Sequence, residues 1–361
     1  MVRNEHLLVM RFSAMGDVAM LVRVVYSVAM QYPDLRITVL SRGFAKAFFD
    51  GLAPNVGFME ADLGKEYRGL RGLNALYRRL KAKHFTAIAD MHDVLRTQYL
   101  RTRFSIDRYK VFHIDKHRSG KKRMIATSNR QLVQQPTAFE NYADVLARLG
   151  YPVDLNFKSL FSPQGGNLRQ VSIPELKEKK SFHKWIGIAP FAAHDTKEYP
   201  LEQMEAVVAN LCQLYTNARL LLFGAGRRER ECFERWCEKY PKCLAVSTHA
   251  ASLYEELVVM SHLDVMVSMD SANTHLASIV DVPVVGIWGS THPSPASWVG
   301  DRTSTRRCNS TWLVGRAASM VTRCAVVETW HAWRASSPNR CWKRWRWCST
   351  TRTSVLDYFI L

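Results

Sequence analysis

The stretch LDVMVSMDSANTHLASIVDVPVVGIW, residues 263–288, most constrains what this chain can fold into. It predicts a strand over Leu263–Met269, a short helix over about Asn273–Val280 and a second strand over Val282–Trp288. The first strand is a largely apolar run, as expected when helices cover both faces of a parallel sheet. We therefore expect a doubly wound α/β domain here.

A cluster of small and polar residues, Asp270-Ser271-Ala272-Asn273-Thr274-His275, lies where the predicted helix begins. The first N–H groups of a helix have no partner within it, and the helix dipole adds partial positive charge at this end. An anion such as a diphosphate is stabilised there, and His275 lies in the first turn. The alternative is that Asp270 or Ser271 caps the helix and His275 is an ordinary surface histidine.

The length of 361 residues corresponds to about two domains with a large core. No stretch reaches the roughly 18 apolar residues that span a bilayer. The apolar segment His6–Met10 is too short for a signal peptide, so we expect a cytoplasmic protein. The cysteines Cys212, Cys232, Cys237 and Cys243 lack metal-binding spacing, and we interpret them as reduced thiols.

The net charge of +18 is unevenly distributed. Residues 301–361 hold 11 Lys and Arg against 3 Asp and Glu, a net charge of +8, which leaves +10 for the first 300 residues. Much of that lies in Arg101–Lys122. No nucleic-acid-binding motif is present, so we expect no nucleic-acid partner. The basic stretch suits an acidic small substrate or an anionic membrane face, and the alternative is a solvated charge run.

The alternation of strands and helices starts twice, first at His6–Arg11 and again at Trp185–Ala189. It predicts a domain over residues 1–150, a linker rich in Pro and Gly over 151–182, and a second domain over 183–300. Two such halves place a cleft between the carboxyl ends of two sheets, where ligands of these folds bind. Further strands are predicted over Arg36–Leu40, Phe85–Asp90, Tyr109–Ile114, Ala218–Phe223 and Cys243–Val246. Further helices are predicted over Val18–Met30, Ala45–Leu52, Leu73–Lys83, Phe139–Leu149, Leu201–Tyr215, Arg227–Tyr240 and Ala251–Ser261.

Three motifs together resemble glycosyltransferase family 9, whose main members are the ADP-heptose:lipopolysaccharide heptosyltransferases. They are RFSAMGDV at 11–18, PFAAHDTKEYP at 190–200 and DSANTHLASIVDVPVVGIWGSTHP at 270–293. The order is that of the family, and the resemblance covers about residues 6–300. It implies a GT-B fold of two Rossmann-like domains facing a central cleft. It also implies an inverting reaction without a metal or other cofactor, with the acceptor on the first domain and the nucleotide-sugar on the second.

On the acceptor side, Asp17 matches the base that the family uses to take a proton from the acceptor hydroxyl. The alternative is that Asp17 only caps a helix. Ser13 and Gly16, from the same motif, are expected to contact the acceptor. We assign His92 and Asp93, at the end of a predicted strand, to the acceptor as well, and the alternative for His92 is a loop histidine without a ligand.

On the donor side, Lys197 matches the family's phosphate-binding lysine, which would stabilise the charge of the leaving diphosphate. The alternative is a solvated surface lysine. His275 matches the family histidine near the donor, and Asp270 belongs to the same motif. Ser271 and Ala272 occupy positions where family members often have Thr and Gly, which leaves a role for their backbone. Glu229 is expected near the ribose, after the Gly224-Ala225-Gly226 turn.

The resemblance predicts transfer of heptose from ADP-heptose to the inner core of lipopolysaccharide, onto a Kdo–lipid A or heptosyl acceptor. It also implies peripheral contact with the cytoplasmic face of a membrane. One alternative is another nucleotide-sugar, for example a UDP-hexosamine. A second is a nucleotide- or lipid-binding protein without turnover, which the unusual C-terminal region suggests.

That C-terminal region, residues 301–361, holds six of the ten Trp and four of the eight Cys. Regrouping its codons by one base permits LQLDLA at 308–313 and GDLACMA at 328–334, which resemble the Cys-rich loop usual near the end of family members. We hypothesise that a slip of one or two bases near codons 296–307 replaced the native end. The four cysteines are then no zinc site. The alternative is a basic, aromatic segment that binds a membrane surface or nucleic acid.

Overall fold

The computed structural model describes residues 5–118 and 136–287, together with the backbone of Trp312–Val314. The chain divides into two compact units, and along the described residues the boundary falls between Leu160 and Phe161. No helix in the described part of the chain is long and apolar enough to cross a membrane.

The N-terminal unit is built on a parallel sheet of five strands in the order β3-β2-β1-β4-β5. The central strand β1 has the sequence HLLVM, and all five of its residues are buried. It pairs with β2 on one side and with β4 on the other. The strands are β1 (His6–Met10), β2 (Arg36–Ser41), β3 (Val56–Glu60), β4 (Ala87–Asp90) and β5 (Lys110–His113).

The helices of this unit pack on the sheet, and the longest of them buries apolar residues around most of its circumference. The start of the last helix is determined by its own sequence, because Thr137 and Glu140 form a reciprocal capping box there. Gly150 ends it at a φ of 99°, a left-handed conformation that glycine adopts without strain. The helices are α1 (Met15–Gln31), α2 (Lys46–Phe49), α3 (Gly69–Lys81), α4 (Leu95–Ile106) and α5 (Ala138–Leu149).

The second unit repeats the architecture on a parallel sheet in the order β11-β10-β9-β6-β7-β8. Its core includes the large buried side chains Phe233 and Trp236, packed between helices and sheet. The strands are β6 (Lys184–Ala189), β7 (Ala218–Leu222), β8 (Cys243–Ala245), β9 (Val265–Met269), β10 (Val284–Ile287) and β11 (Trp312–Val314). The helices are α6 (Leu201–Leu214), α7 (Arg227–Lys239), α8 (Val246–His249), α9 (Leu253–Met260) and α10 (Ala272–Ile279).

The predicted alternation is confirmed, with differences at the ends of elements and in both units. Helix α1 begins at Met15 rather than at Val18, so Gly16 and Asp17 lie in its first turn. The predicted helix Ala45–Leu52 is shorter, as α2. Strand β3 and helix α4 of the first unit, and the short helix α8 of the second unit, were not predicted. The hypothesis on residues 301–361 falls almost wholly outside the described residues.

Candidate functional site

Both sheets carry their strands in the order of doubly wound nucleotide-binding folds, with one switch point each. The switch point of the first sheet lies between β1 and β4, and that of the second lies between β6 and β9. Helices leave in opposite directions at such a point, and ligands bind there at the carboxyl ends of the strands. Most of the predicted site residues lie at these two places.

Asp17 lies in the first turn of α1, beyond the carboxyl end of β1. Its carboxylate forms an ion pair of 2.7 Å with the guanidinium of Arg11 and accepts a hydrogen bond from the backbone N–H of Ala14 at 3.3 Å. The Asp17 side chain is 41% exposed, whereas that of Arg11 is 8% exposed. A buried cation therefore orients the Asp17 carboxylate, which remains accessible to solvent.

Arg11 is itself held by two further contacts. Its guanidinium donates a hydrogen bond to the carbonyl of Met91 and lies over the ring of Tyr142, 5.5 Å from the centroid. The Tyr142 hydroxyl in turn donates to the carbonyl of Asp17 at 3.2 Å. Arg11, Asp17 and Tyr142 therefore connect β1 to both α1 and α5.

His92 follows β4 and faces the turn after β1. The backbone N–H of Phe12 donates to its Nδ1 at 3.4 Å, so Nε2 carries the proton and contacts the Ser13 hydroxyl at 3.2 Å. Burial lowers the pKa of His92 to about 4, and the charges of Arg11 and Lys116 act in the same direction. A neutral histidine at neutral pH keeps the Ser13 turn in place.

The turn that carries His92 rests on the fully buried carboxylate of Asp90. That carboxylate accepts the backbone N–H groups of His92 and Asp93, each at 2.9 Å, and forms an ion pair of 3.2 Å with Arg101. Asp93 pairs with the same guanidinium at 3.0 Å. Arg101 and its neighbour Gln98 hold the pKa of Asp93 below its usual value. Asp93 is thus part of a structural cluster, and at least Arg101 of the basic stretch is turned inward.

A cavity of about 820 Å³ opens beside this switch point, within the N-terminal unit. That volume lies in the usual range for ligand pockets. Ser13 and His92 line it, whereas Gly16, Asp17 and Asp93 are not part of its lining. Charged residues of both signs complete the wall: Arg42, Glu60, Asp62 and Arg96. Such a lining can bind hydroxyl groups and acidic groups together.

At the second switch point, the side chains of Lys197 and Asp270 are in contact beyond the carboxyl ends of β6 and β9. The ammonium of Lys197 lies 2.7 Å from the Asp270 carboxylate. Lys197 belongs to the segment after β6, and Asp270 directly follows β9. The side chains are 25% and 13% exposed. The ion pair places a cation beside the N-terminus of α10, where backbone N–H groups also attract an anion.

The turn from β9 into α10 is ordered by three hydroxyl groups. Thr274 donates to the carbonyl of Met269 at 2.8 Å and lies 3.1 Å from the Ser268 hydroxyl. The hydroxyls of Ser268 and Ser271 are 3.3 Å apart. Ser271 is the N-cap residue, and its side chain makes no capping hydrogen bond. Its hydroxyl therefore supports the turn from inside, and the first N–H groups of α10 are not covered by it.

Ala272 is the first residue of α10, and His275 lies in the same first turn. The His275 side chain is buried, so the alternative of an ordinary surface histidine is wrong.

Glu229 lies in the first turn of α7 and folds back over the turn after β7. A Cβ atom at Gly226 would lie 1.9 Å from a carboxylate oxygen of Glu229, and one at Gly224 would lie 2.9 Å from its Cγ. Glycine at both positions therefore leaves room for this carboxylate. The backbone N–H of Gly224 also donates to the Ser247 hydroxyl at 3.0 Å.

The segment that carries Lys197 is tied to α7 by residues that the sequence did not single out. Arg228 forms an ion pair of 2.9 Å with Glu198 and lies over the ring of Phe191. Glu198 also accepts the backbone N–H of Ala192 at 3.0 Å. These contacts order both ends of the segment. The only feature of the sequence that indicates these contacts is the acidic residue Glu198 directly after Lys197.

The structure thus brings Ser13 together with His92, and Lys197 together with Asp270. It does not join Asp93 to the cavity. The residue that sequence reasoning missed beside Asp17 is Arg11. Its signal was a basic residue directly after a buried strand, at the start of the motif that contains Asp17.

A model of glycosyltransferase family 9 (heptosyltransferase) matches residues 73–311, more than half of the chain. The chain belongs to glycosyltransferase family 9. It is therefore a glycosyltransferase, as the sequence motifs predicted.

Relatives of this family 9 transferase agree with the assignment. It is 22% identical to the lipopolysaccharide core heptosyltransferase OpsX of Haemophilus influenzae over 298 residues, 80% of each protein. Its fold is similar to that of E. coli ADP-heptose lps heptosyltransferase II, with a TM-score of 0.64 and 15% identity over 95% of this chain and 98% of the other. E. coli heptosyltransferase WaaC with ADP gives a TM-score of 0.60 and 18% identity over 80% and 88%. These likenesses confirm the predicted GT-B fold.

Proposed function

We propose that this family 9 transferase moves heptose from ADP-heptose to the inner core of lipopolysaccharide, with inversion at the anomeric carbon and without a metal ion. The observation that carries the proposal is the Lys197–Asp270 ion pair at the N-terminus of α10. One fixed cation beside the N-terminus of a helix suits a diphosphate. The donor nucleotide and sugar are proposed from the similar solved structures, which include E. coli heptosyltransferase WaaC with ADP and with ADP-2-deoxy-2-fluoro heptose.

Departure of the nucleoside diphosphate leaves new negative charge on its phosphate oxygen. Lys197 and the first N–H groups of α10 would stabilise that charge, and Asp270 would keep the lysine in place. Glu229 would accept hydrogen bonds from the ribose hydroxyls, since its carboxylate folds over the glycine turn after β7. His275, Ser271 and Ala272 would contact the donor through the first turn of the helix.

On the acceptor side, Asp17 would take the proton of the attacking hydroxyl while the acceptor oxygen bonds to the anomeric carbon. The bond from that carbon to the phosphate oxygen breaks on the opposite face of the sugar. The ion pair with Arg11 supports this role because it holds the carboxylate in a fixed orientation. Ser13 and His92 would form the wall against which the acceptor sugar lies.

The proposed acceptor is an acidic sugar on a lipid, such as Kdo–lipid A or its heptosylated form. The mixed lining of the cavity supports it, because Arg42 and Arg96 suit carboxylate or phosphate groups and Glu60 and Asp62 suit hydroxyls. A lipid-borne acceptor places the working enzyme at the cytoplasmic face of a membrane.

Calorimetric titration with ADP, UDP and GDP tests the donor side. We expect preferential binding of ADP, and we expect Lys197→Ala to weaken it about 10- to 100-fold, since a charged hydrogen-bond partner is lost. Lys179→Ala is the matched control, because Lys179 also forms a 2.7 Å ion pair, with Asp264, in the same unit.

Equal weakening by both variants would mean that the effect comes from the loss of any ion pair, and the phosphate role of Lys197 would be wrong. Preference for UDP would keep the fold and the phosphate site but change the donor to another nucleotide-sugar. ADP binding without turnover on any core acceptor would favour a binding protein. Asp17→Asn should abolish transfer and leave ADP binding unchanged.

A further inference from the structure

The lining of the cavity in the N-terminal unit includes residues of the turn before α3 and of the start of α4. They are Leu63 and Gly64 from the turn, and Leu95 and Arg96 from α4. Helices α3 and α4 pack against each other. Both begin at the carboxyl edge of the sheet, because α3 leads into β4 and α4 leads out of the same strand to parallel β5. Their first turns therefore lie at one edge, next to the cavity.

Each of these first turns exposes a leucine. Leu95 is 84% exposed and Leu70 is 70% exposed. The first turn of α3 lies directly on the preceding turn, since a Cβ atom at Gly72 would be 2.4 Å from the carbonyl carbon of Tyr67. Two large apolar side chains thus stand in solvent on closely packed elements beside a ligand cavity, although neither contributes to the core.

The same edge carries unpaired positive charge. Helices α3 and α4 together contain seven Arg and Lys and no Asp or Glu. Within residues 5–118 and 136–287, four exposed cations around the two leucines form no ion pair, while the nearby Glu66 is paired with Arg79 at 3.6 Å. With the leucines, these cations form a leucine–arginine rim made of Lys65, Arg68, Leu70, Arg71, Leu95 and Arg96.

We propose that the leucine–arginine rim docks this protein on an anionic lipid bilayer. The two leucines would enter the interfacial layer, and the four cations would contact lipid phosphates. Because Leu95 and Arg96 also line the cavity, the cavity would then lie next to the headgroup layer, where the sugar of a lipid-borne acceptor lies. This orientation rests on the proposed function, whereas the docking itself depends only on the exposed leucines and the unpaired cations.

Co-sedimentation of the full chain with vesicles measures the docking without any turnover. We expect binding to phosphatidylglycerol vesicles to be at least about tenfold tighter than to phosphatidylcholine vesicles. The double substitution Leu70→Ser and Leu95→Ser should weaken binding to phosphatidylglycerol vesicles about tenfold, because two apolar side chains that would enter the bilayer are lost. Arg68→Gln with Arg71→Gln should remove most of the lipid preference.

Ile106→Ser is the matched control for the leucines, because Ile106 is also 70% exposed but lies at the opposite end of α4. Arg78→Gln, at an exposed position in the last turn of α3, is the control for the arginines. Both controls should bind vesicles as the unmodified protein does. Hydrogen exchange should show vesicle-dependent protection at residues 64–72 and 94–99 and none at 103–109.

Three results would overturn the docking proposal. They are equal binding to neutral vesicles, an equal loss in the Ile106 control, and protection confined to residues 301–361. None of them bears on heptose transfer, which is measured with a deacylated acceptor in the absence of vesicles. A protein that docks but does not transfer would keep the rim and contradict the proposed function instead.

Discussion

Arg11 is buried at the end of β1 and has three partners: Asp17, Met91 and Tyr142. If Asp17 is the base, Arg11 acts on catalysis only through it and is a positioning residue. We expect Arg11→Met to lower kcat about 10- to 100-fold, with little change in the KM for the nucleotide-sugar, since misplacing a catalytic group by about 1 Å has such an effect. Steady-state kinetics with both substrates measures it.

Arg11→Lys serves as the control for Arg11→Met. It keeps the charge beside Asp17 but cannot keep both the contact with Met91 and the stacking on Tyr142, so an intermediate kcat is expected. The unfolding midpoint of each variant shows whether the fold is intact. A change in KM for the nucleotide-sugar with an unchanged kcat would contradict the positioning role.

His92 leads to a prediction for stability at acidic pH. Its pKa is about 4 in the folded protein against about 6.5 in an unfolded chain. The folded state therefore binds this proton more weakly, so protonation favours unfolding. The loss starts as the pH falls below about 6.5 and is complete below about pH 4.

Urea denaturation at pH 8 and pH 5 measures the His92 effect. From pH 8 to pH 5 the unmodified protein should lose about 2 kcal/mol more unfolding free energy than His92→Gln does. Equal losses in the two proteins would show that other groups carry the acid sensitivity, such as His6, whose pKa is also lowered by burial.

At the scale of single residues, the sequence motifs named candidates for the site, whereas contacts made at long sequence separation could not be predicted. Asp17, Lys197 and Asp270 came from the motifs. Arg11 has no sequence signal for burial, because arginine is usually exposed and its partners Met91 and Tyr142 are far away in the chain. The roles assigned to the site residues remain predictions.

The turn from β9 into α10 allows a prediction for one element. Thr274 is buried and donates to the carbonyl of Met269. Thr274→Val should lower the free energy of unfolding by about 1 kcal/mol, because the carbonyl of Met269 loses one of its two hydroxyl donors and keeps only that of Ser268. It should also weaken ADP binding, since the first turn of α10 loses its support. Denaturation and calorimetry measure the two effects.

Thr274→Ser tests whether the hydroxyl or the methyl group matters at this turn. It keeps the donor to Met269 and removes one methyl, so ADP binding should stay close to that of the unmodified protein. Normal ADP affinity in Thr274→Val would show that the hydroxyl network does not order the nucleotide end of α10.

Elements were predictable where burial imposes an apolar pattern. The fully buried strands β1 and β9 were found for that reason. Strand β3 was missed because only one of its five residues is buried and it contains Gly57. Helix α4 was missed because it exposes Leu95 and Ile106 and carries three arginines, so its apolar period is weak.

At the scale of the whole molecule, the reading-frame hypothesis makes a prediction. Resequencing the encoding DNA should show a missing or extra base near codons 296–307. A chain with the corrected frame should then show at least about tenfold higher turnover than the present chain, since the hypothesis implies that the native end of the second domain is missing here. An unambiguous in-frame sequence in independent isolates would refute the hypothesis.

The strand orders also determine when each unit can be completed during synthesis on the ribosome. Strand β1 is made first, yet its neighbours begin at Arg36 and Ala87, so the first sheet closes only once those residues have emerged. In the second sheet, β6 lacks its neighbour β9 until the residues from Val265 onward have been made. Since domains fold from the N-terminal end as they leave the ribosome, the cavity is complete before Asp270 exists. An error in late codons therefore reaches the nascent chain after its N-terminal unit has already folded.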